Sequence, residues 1–210
     1  EKRIERLMSD EAPRLYLVTP PINDAKLFKP LLSQALSGGD VASILIRFAG
    51  DDARQHEAML RDLAPLAQEK GVAVLTDNAV AEALRIGADG AHIHGSYEEV
   101  ATAVKKLAPR YIVGAGEVST RDDAMEVGEL GVDYVQFVSD HLTGLIERIA
   151  WWSELFTTPC VAKANSLLEI APLVQAGVDF VMIENAVWTD PRQPGAAVSD
   201  ALRLMQELKA

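Results

Sequence analysis

The chain has 210 residues, 49% of them hydrophobic, a size and composition suited to one domain with a sizeable core. A formal charge of −11 repels phosphate backbones and argues against general nucleic-acid binding. No apolar run approaches the roughly 20 residues of a membrane helix, residues 1–12 read as polar and charged without a secretory leader, and the single Cys160 excludes an internal disulfide, so a reducing, cytoplasmic setting is the simplest expectation.

In chain order, residues 1–12 are expected to form an N-terminal arm or short helix, and 13–210 a single barrel domain. Eight short β-branched runs follow: Arg14–Val18, Ser43–Arg47, Ala73–Thr76, Ala91–Ile93, Tyr111–Gly114, Tyr134–Phe137, Cys160–Ala164 and Phe180–Ile183. Amphipathic stretches alternate with them, clearest in 53–70, where Leu60, Leu63, Ala64 and Ala67 recur at helical spacing. Asp24, Asn78, Ser119 and Ser166 precede these stretches as candidate caps, and Gly71, Gly87, Gly131 and Gly177 end them. The segments GVAV, GADGAHI, GVDYVQF and GVDFVMI repeat one design, a helix stop followed by a turn and a strand. Residues 190–195 read as a loop before a last helix over 196–208. Strand–helix alternation of this kind predicts a parallel sheet, and eight units favour closure into an α/β, (β/α)8 barrel.

In such a barrel the strand C-termini line the mouth, where ligands bind. Arg47 presents a planar fork suited to phosphate or carboxylate, or else pairs with Asp51 or Asp52. Asp77 and Asn78 offer oxygens to Mg²⁺ or, through water, to a diphosphate; as alternatives Asn78 caps the next helix and Asp77 favours its positive end. His92 and His94, two apart, face one side of their strand as a general acid/base, half of a metal site, or packed imidazoles. Lys163 lies in the apolar run CVAKAN, so it must pair, with Glu184 on the next strand or with an anion; a desolvated lysine also suits Schiff-base chemistry. Gln136, Asn165 and Asn185 complete the set of mouth candidates. Trp151 and Trp152 belong to a protein contact, or else one packs beneath the barrel and the other is half exposed.

RLYLVT, VLTDNAVAEALRIGADGAHIHG, YIVGAGEVSTRDDAMEVGELGVDYVQF and PCVAKANSLLEIAPLVQAGVDFVMIENAV, in that order, resemble the successive strands of the thiamine phosphate synthase family. The resemblance implies a TIM barrel that couples a pyrimidine diphosphate to a thiazole phosphate and releases pyrophosphate with Mg²⁺. Small phosphorylated heterocycles would be its partners, and a homo-oligomer is allowed. On this basis Arg47 contacts phosphate, Asp77 and Asn78 hold diphosphate and metal, and Lys163 contacts an anion. The chain keeps the family's second-strand arginine as Arg47 but departs from it where the flanking Gln and Lys are Leu45 and Ala49, where Asn-Asp is inverted as Asp77-Asn78, and where a Gly-Gly turn becomes Lys163-Ala164-Asn165-Ser166. Those departures imply a degenerate site, and two alternatives follow: a thiazole tautomerase-like paralogue using His92 or His94 for proton transfer, and a non-catalytic ligand-binding barrel.

Overall fold

The computed structural model describes residues 12–207, apart from the side chains of residues 82–84; the expected arm over 1–12 therefore lies almost wholly outside the described residues. The strands are β1 (Arg14–Val18), β2 (Val41–Ile46), β3 (Ala73–Asp77), β4 (Gly90–His94), β5 (Ile112–Val118), β6 (Tyr134–Phe137), β7 (Cys160–Ala164) and β8 (Phe180–Ile183). The helices are α1 (Ala25–Ala35), α2 (Ala53–Gln68), α3 (Val80–Ile86), α4 (Tyr97–Leu107), α5 (Arg121–Glu129), α6 (Leu142–Leu155), α7 (Ile170–Gln175), α8 (Asn185–Trp188) and α9 (Pro194–Glu207). All eight strands pair in parallel in chain order, and β8 closes on β1. The expected (β/α)8 barrel is the fold. No helix among the described residues is long and apolar enough to cross a membrane.

Strand alternation divides the core in two. Leu15, Leu17, Ile44, Ile46, Val74, Val113 and Val135 point outward and pack under the helices. Tyr16, Val18, Leu45, Leu75, Ile112, Tyr134, Val161, Phe180 and Met182 fill the barrel itself. The same parity carries Arg47, Asp77, His92, His94, Gln136, Lys163 and Glu184 to the inner side at or near the C-terminal ends of their strands. Trp152 is buried between Phe137 and Phe156 and donates its indole N–H to the Thr158 carbonyl at 2.7 Å, while the half-buried Trp151 carries the Arg121 guanidinium over its ring. One tryptophan packs and the other lies half exposed, as the simpler expectation had it.

The repeated Gly-x-Asp segments have a specific job. Gly87, Gly131 and Gly177 stop their helices with φ of 76°, 79° and 90°, in the left-handed region where a Cβ is strained. Two residues later the Asp89, Asp133 and Asp179 carboxylates accept the backbone N–H of Val74, Val113 and Cys160 at 2.8, 2.8 and 2.7 Å. Asp40 stands at the same place before β2 and meets Arg14 on β1 at 3.4 Å. An aspartate thus precedes each even-numbered strand and ties it to the odd-numbered strand before it.

The capping expectations divide. Asp24 caps α1, accepting from the Lys26 and Leu27 N–H groups. Asn78 does not cap α3; it holds φ 51° and turns its side chain to β4, leaving Ala79 at the helix start without a side-chain cap. Ser119 yields to its neighbour Thr120, whose hydroxyl accepts the Asp123 N–H, and Ser166 makes no side-chain cap. Backbone direction after the strand thus selected Thr120 over Ser119 and left α3 and the turn after Ser166 without a side-chain cap.

Candidate active site

At the mouth, Glu184 is the hub. Its two carboxylate oxygens pair separately with the Arg47 guanidinium, just past the end of β2, and the Lys163 ammonium from β7. Arg47 is fixed further by donating from Nε to the Thr19 carbonyl at 2.9 Å, and its own N–H bonds the Thr19 hydroxyl. Its partner is therefore Glu184 rather than Asp51 or Asp52; Asp52 caps α2. Glu184 is buried, while the Arg47 and Lys163 side chains are 27% and 38% exposed, so both cations remain reachable from solvent. Within this three-residue cluster Glu184 offsets one of the two cations and leaves an excess of one positive charge, in a protein of net charge −11 and with Asp77 on the neighbouring strand also acting on Arg47. That excess is what a small anion needs against the overall field.

On the neighbouring strands β3 and β4, His94 Nε2 lies 2.9 Å from Asp77 Oδ1, yet this buried oxygen has no aligned hydrogen-bond donor. Burial raises the Asp77 carboxyl above its ordinary range, opposed by His94 and Arg47. Asn78 is engaged: its carbonyl oxygen accepts the His94 N–H at 2.9 Å and its amide donates to the His94 carbonyl at 3.1 Å. The His94 N–H uses one lone pair of the Asn78 oxygen, so a metal could take only the second. Among the described residues no group of three His, Cys, Asp or Glu could hold a metal by itself. Mg²⁺ seldom needs one, since it is commonly bound through one or two carboxylates together with substrate phosphates and water. The orphaned Asp77 oxygen fits that mode.

His92 belongs to a buried chain that the sequence did not reveal. Its Nδ1 lies 2.7 Å from the Tyr134 hydroxyl, which lies 2.9 Å from the Tyr16 hydroxyl. Both phenolic protons are satisfied if Tyr16 donates to Tyr134 and Tyr134 donates to His92 Nδ1, leaving the imidazole proton on Nε2. Nε2 lies against Gly116, where any Cβ would overlap it, and a Cβ on Gly114 would overlap the Tyr134 ring. Two glycines of β5 thus make room for the chain. Desolvation, with His94 second, pushes His92 down to about 3.

The remaining candidates separate. Gln136 is buried and committed, accepting the Glu117 N–H at 2.7 Å and donating to the Phe137 carbonyl at 3.1 Å. It holds Glu117 in the left-handed region, φ 57°. Asn165 bonds the Glu169 carboxylate at 3.3 Å, and Asn185 is exposed at the start of α8. The structure brings Arg47, Lys163 and Glu184 into one cluster and Asp77, Asn78 and His94 into another. Tyr16 and Tyr134 carry no local motif; only their inward parity could have marked them.

The model of the family described as thiamine monophosphate synthase matches residues 15–187. A thiamine-phosphate synthase of Rhodospirillum centenum is 39% identical over 205 residues, covering 92% of this chain and 98% of that protein. A thiamine-phosphate synthase of Hyphomonas neptunium is 36% identical over 93% of this chain and 95% of its own. Among solved structures, a thiamine phosphate pyrophosphorylase from Pyrococcus furiosus superposes with a TM-score of 0.81 over the whole of both chains, at 22% identity. The chain belongs to the thiamine monophosphate synthase family.

Proposed function

We propose that this chain is a thiamine phosphate synthase, a transferase that joins a pyrimidine diphosphate to a thiazole phosphate and releases pyrophosphate. Family membership supports the substrate class, and one observation carries the site: the paired cations Arg47 and Lys163, held on Glu184 at the barrel mouth. As the bond to the diphosphate breaks, negative charge grows on the leaving group, and fixed cations stabilise that charge without reorganising. Glu184 keeps Arg47 and Lys163 from collapsing onto other acids until an anion takes them over. Mg²⁺, when present, would be held by Asp77 and would supply further neutralisation of the leaving group's charge. His92, neutral at ordinary pH, positions rather than exchanges protons, presenting its Nε2–H from the barrel interior. Arg47→Ala and Lys163→Ala should each lower turnover by about 10²–10³, the usual cost of removing one charge-stabilising donor. Incubation of the purified chain with both substrates and Mg²⁺, read by chromatographic detection of thiamine phosphate, tests the assignment. A complete lack of product at high enzyme concentration refutes it.

A further inference from the structure

The opposite end of the barrel holds a cavity that the proposed reaction does not use. It has a volume of about 230 Å³ and opens at the N-terminal end between Val132–Asp133, before β6, and Thr157–Pro159, before β7. Its walls are Leu75, Ile112, Val161 and Phe180, and its inner limit is formed by Tyr16 and Tyr134. A barrel interior is normally filled by layers of side chains, so an opening here is unusual. A cavity of roughly 150 Å³ with apolar walls accepts benzene, and this one has room for a ring with a substituent.

One polar group inside it has no partner among the described residues. Ser43 on β2 is 3% exposed and lines the cavity, and its hydroxyl bonds no described residue. A hydroxyl that faces a cavity without a protein partner is free to bond whatever occupies it, water or a ligand. At the entrance, Asp133 spends one carboxylate oxygen on the Val113 N–H and leaves the other uncommitted among the described residues. A carboxylate at the entrance disfavours anions, and the apolar walls disfavour cations, which would be desolvated without a counter-charge inside.

We propose that this cavity is a second binding site, for a neutral single-ring aromatic alcohol or amine whose polar group bonds the Ser43 hydroxyl. The site is separate from the Arg47, Lys163 and Glu184 cluster and stands whether or not the transferase reading does. It adjoins that mouth through the Tyr134 hydroxyl, which bonds both Tyr16 and His92.

Phenol is the probe, titrated into the full chain and followed by methyl NMR shifts of Leu75, Ile112 and Val161. Saturable shifts at these methyls are expected, with a Kd of about 1 mM, well within the affinity open to a ligand of phenol's size. Benzoate should leave the same methyls unmoved. Ser43→Ala should weaken phenol about fivefold, the size of one hydrogen bond, while leaving benzene binding unchanged. Ser43→Leu should abolish both, and if that variant does not fold, Ser43→Ala still decides. Shifts absent up to the solubility limit, shifts centred on the mouth residues instead, or equal phenol affinity in wild type and Ser43→Ala would each overturn the proposal.

Discussion

Acid should unfold this protein through His92. The ring is 4% exposed, and burial first, with His94 second, lowers it from 6.5 to about 3. Between those values the unfolded chain binds a proton on this residue and the folded chain does not. Stability therefore rises with pH across the window: it is fully present above about 6.5 and lost progressively as pH falls toward about 3. At about 1.4 kcal/mol per pH unit, the whole window is worth on the order of 5 kcal/mol, comparable with the ~5–15 kcal/mol that holds a domain together. The test compares urea midpoints of wild type and His92→Asn from pH about 7 to about 4. The asparagine carbonyl stands in for Nδ1 as acceptor for the Tyr134 hydroxyl but does not titrate. Below pH about 6 the wild type should lose stability faster than the variant by roughly 1 kcal/mol per pH unit. Asp77, whose raised pKa acts in the opposite sense, is common to both proteins and cancels. Parallel curves would refute the assignment of His92 as a buried neutral ring.

Glu184→Gln leaves Arg47 and Lys163 facing each other without a counter-charge; since both cations are partly solvated, a loss of about 1–2 kcal/mol is expected in denaturant titrations rather than the larger cost of a fully buried broken pair. Inorganic pyrophosphate should then stabilise this variant more than wild type, and equal thermal shifts would contradict the anion role of the cluster. Gly114→Ala forces a Cβ into the Tyr134 ring, so melting should reveal a cost of about 1–3 kcal/mol or more, with the pH dependence of His92 disturbed as its partner moves. Asp179→Ala strands the Cys160 N–H and should cost about 1–3 kcal/mol by urea unfolding, most of it recovered by Asp179→Asn, which keeps an acceptor.

Much of this architecture is legible in the linear sequence. Four of the eight strands run over the expected residues, and the others differ only at their ends, as with β5, which continues from Gly114 to Val118. Inside/outside alternation and helical spacing are properties of neighbouring residues, so they survive in the linear chain. The mouth candidates were legible for the same reason, because a polar residue ending an apolar strand marks a barrel rim. The Lys163–Glu184 pair was anticipated, since the two residues sit on adjacent strands and a lysine in an apolar run needs a counter-ion.

What the linear order could not settle was which partner each polar group would find once the sheet closed. Arg47 and Glu184 are 137 residues apart and meet only because β8 folds back beside β1. Asn78 had a helix start one residue away, yet its left-handed backbone aims the side chain at β4 instead. Tyr16 and Tyr134 are 118 residues apart, and their hydroxyls meet inside the barrel because Gly114 leaves space. Periodicity of apolar residues was thus sufficient to dictate the strands, the helices and the rim. Closure, which brings distant inward-facing groups within hydrogen-bond range where water is excluded, decided the ion cluster, the neutral His92 chain and the cavity below it.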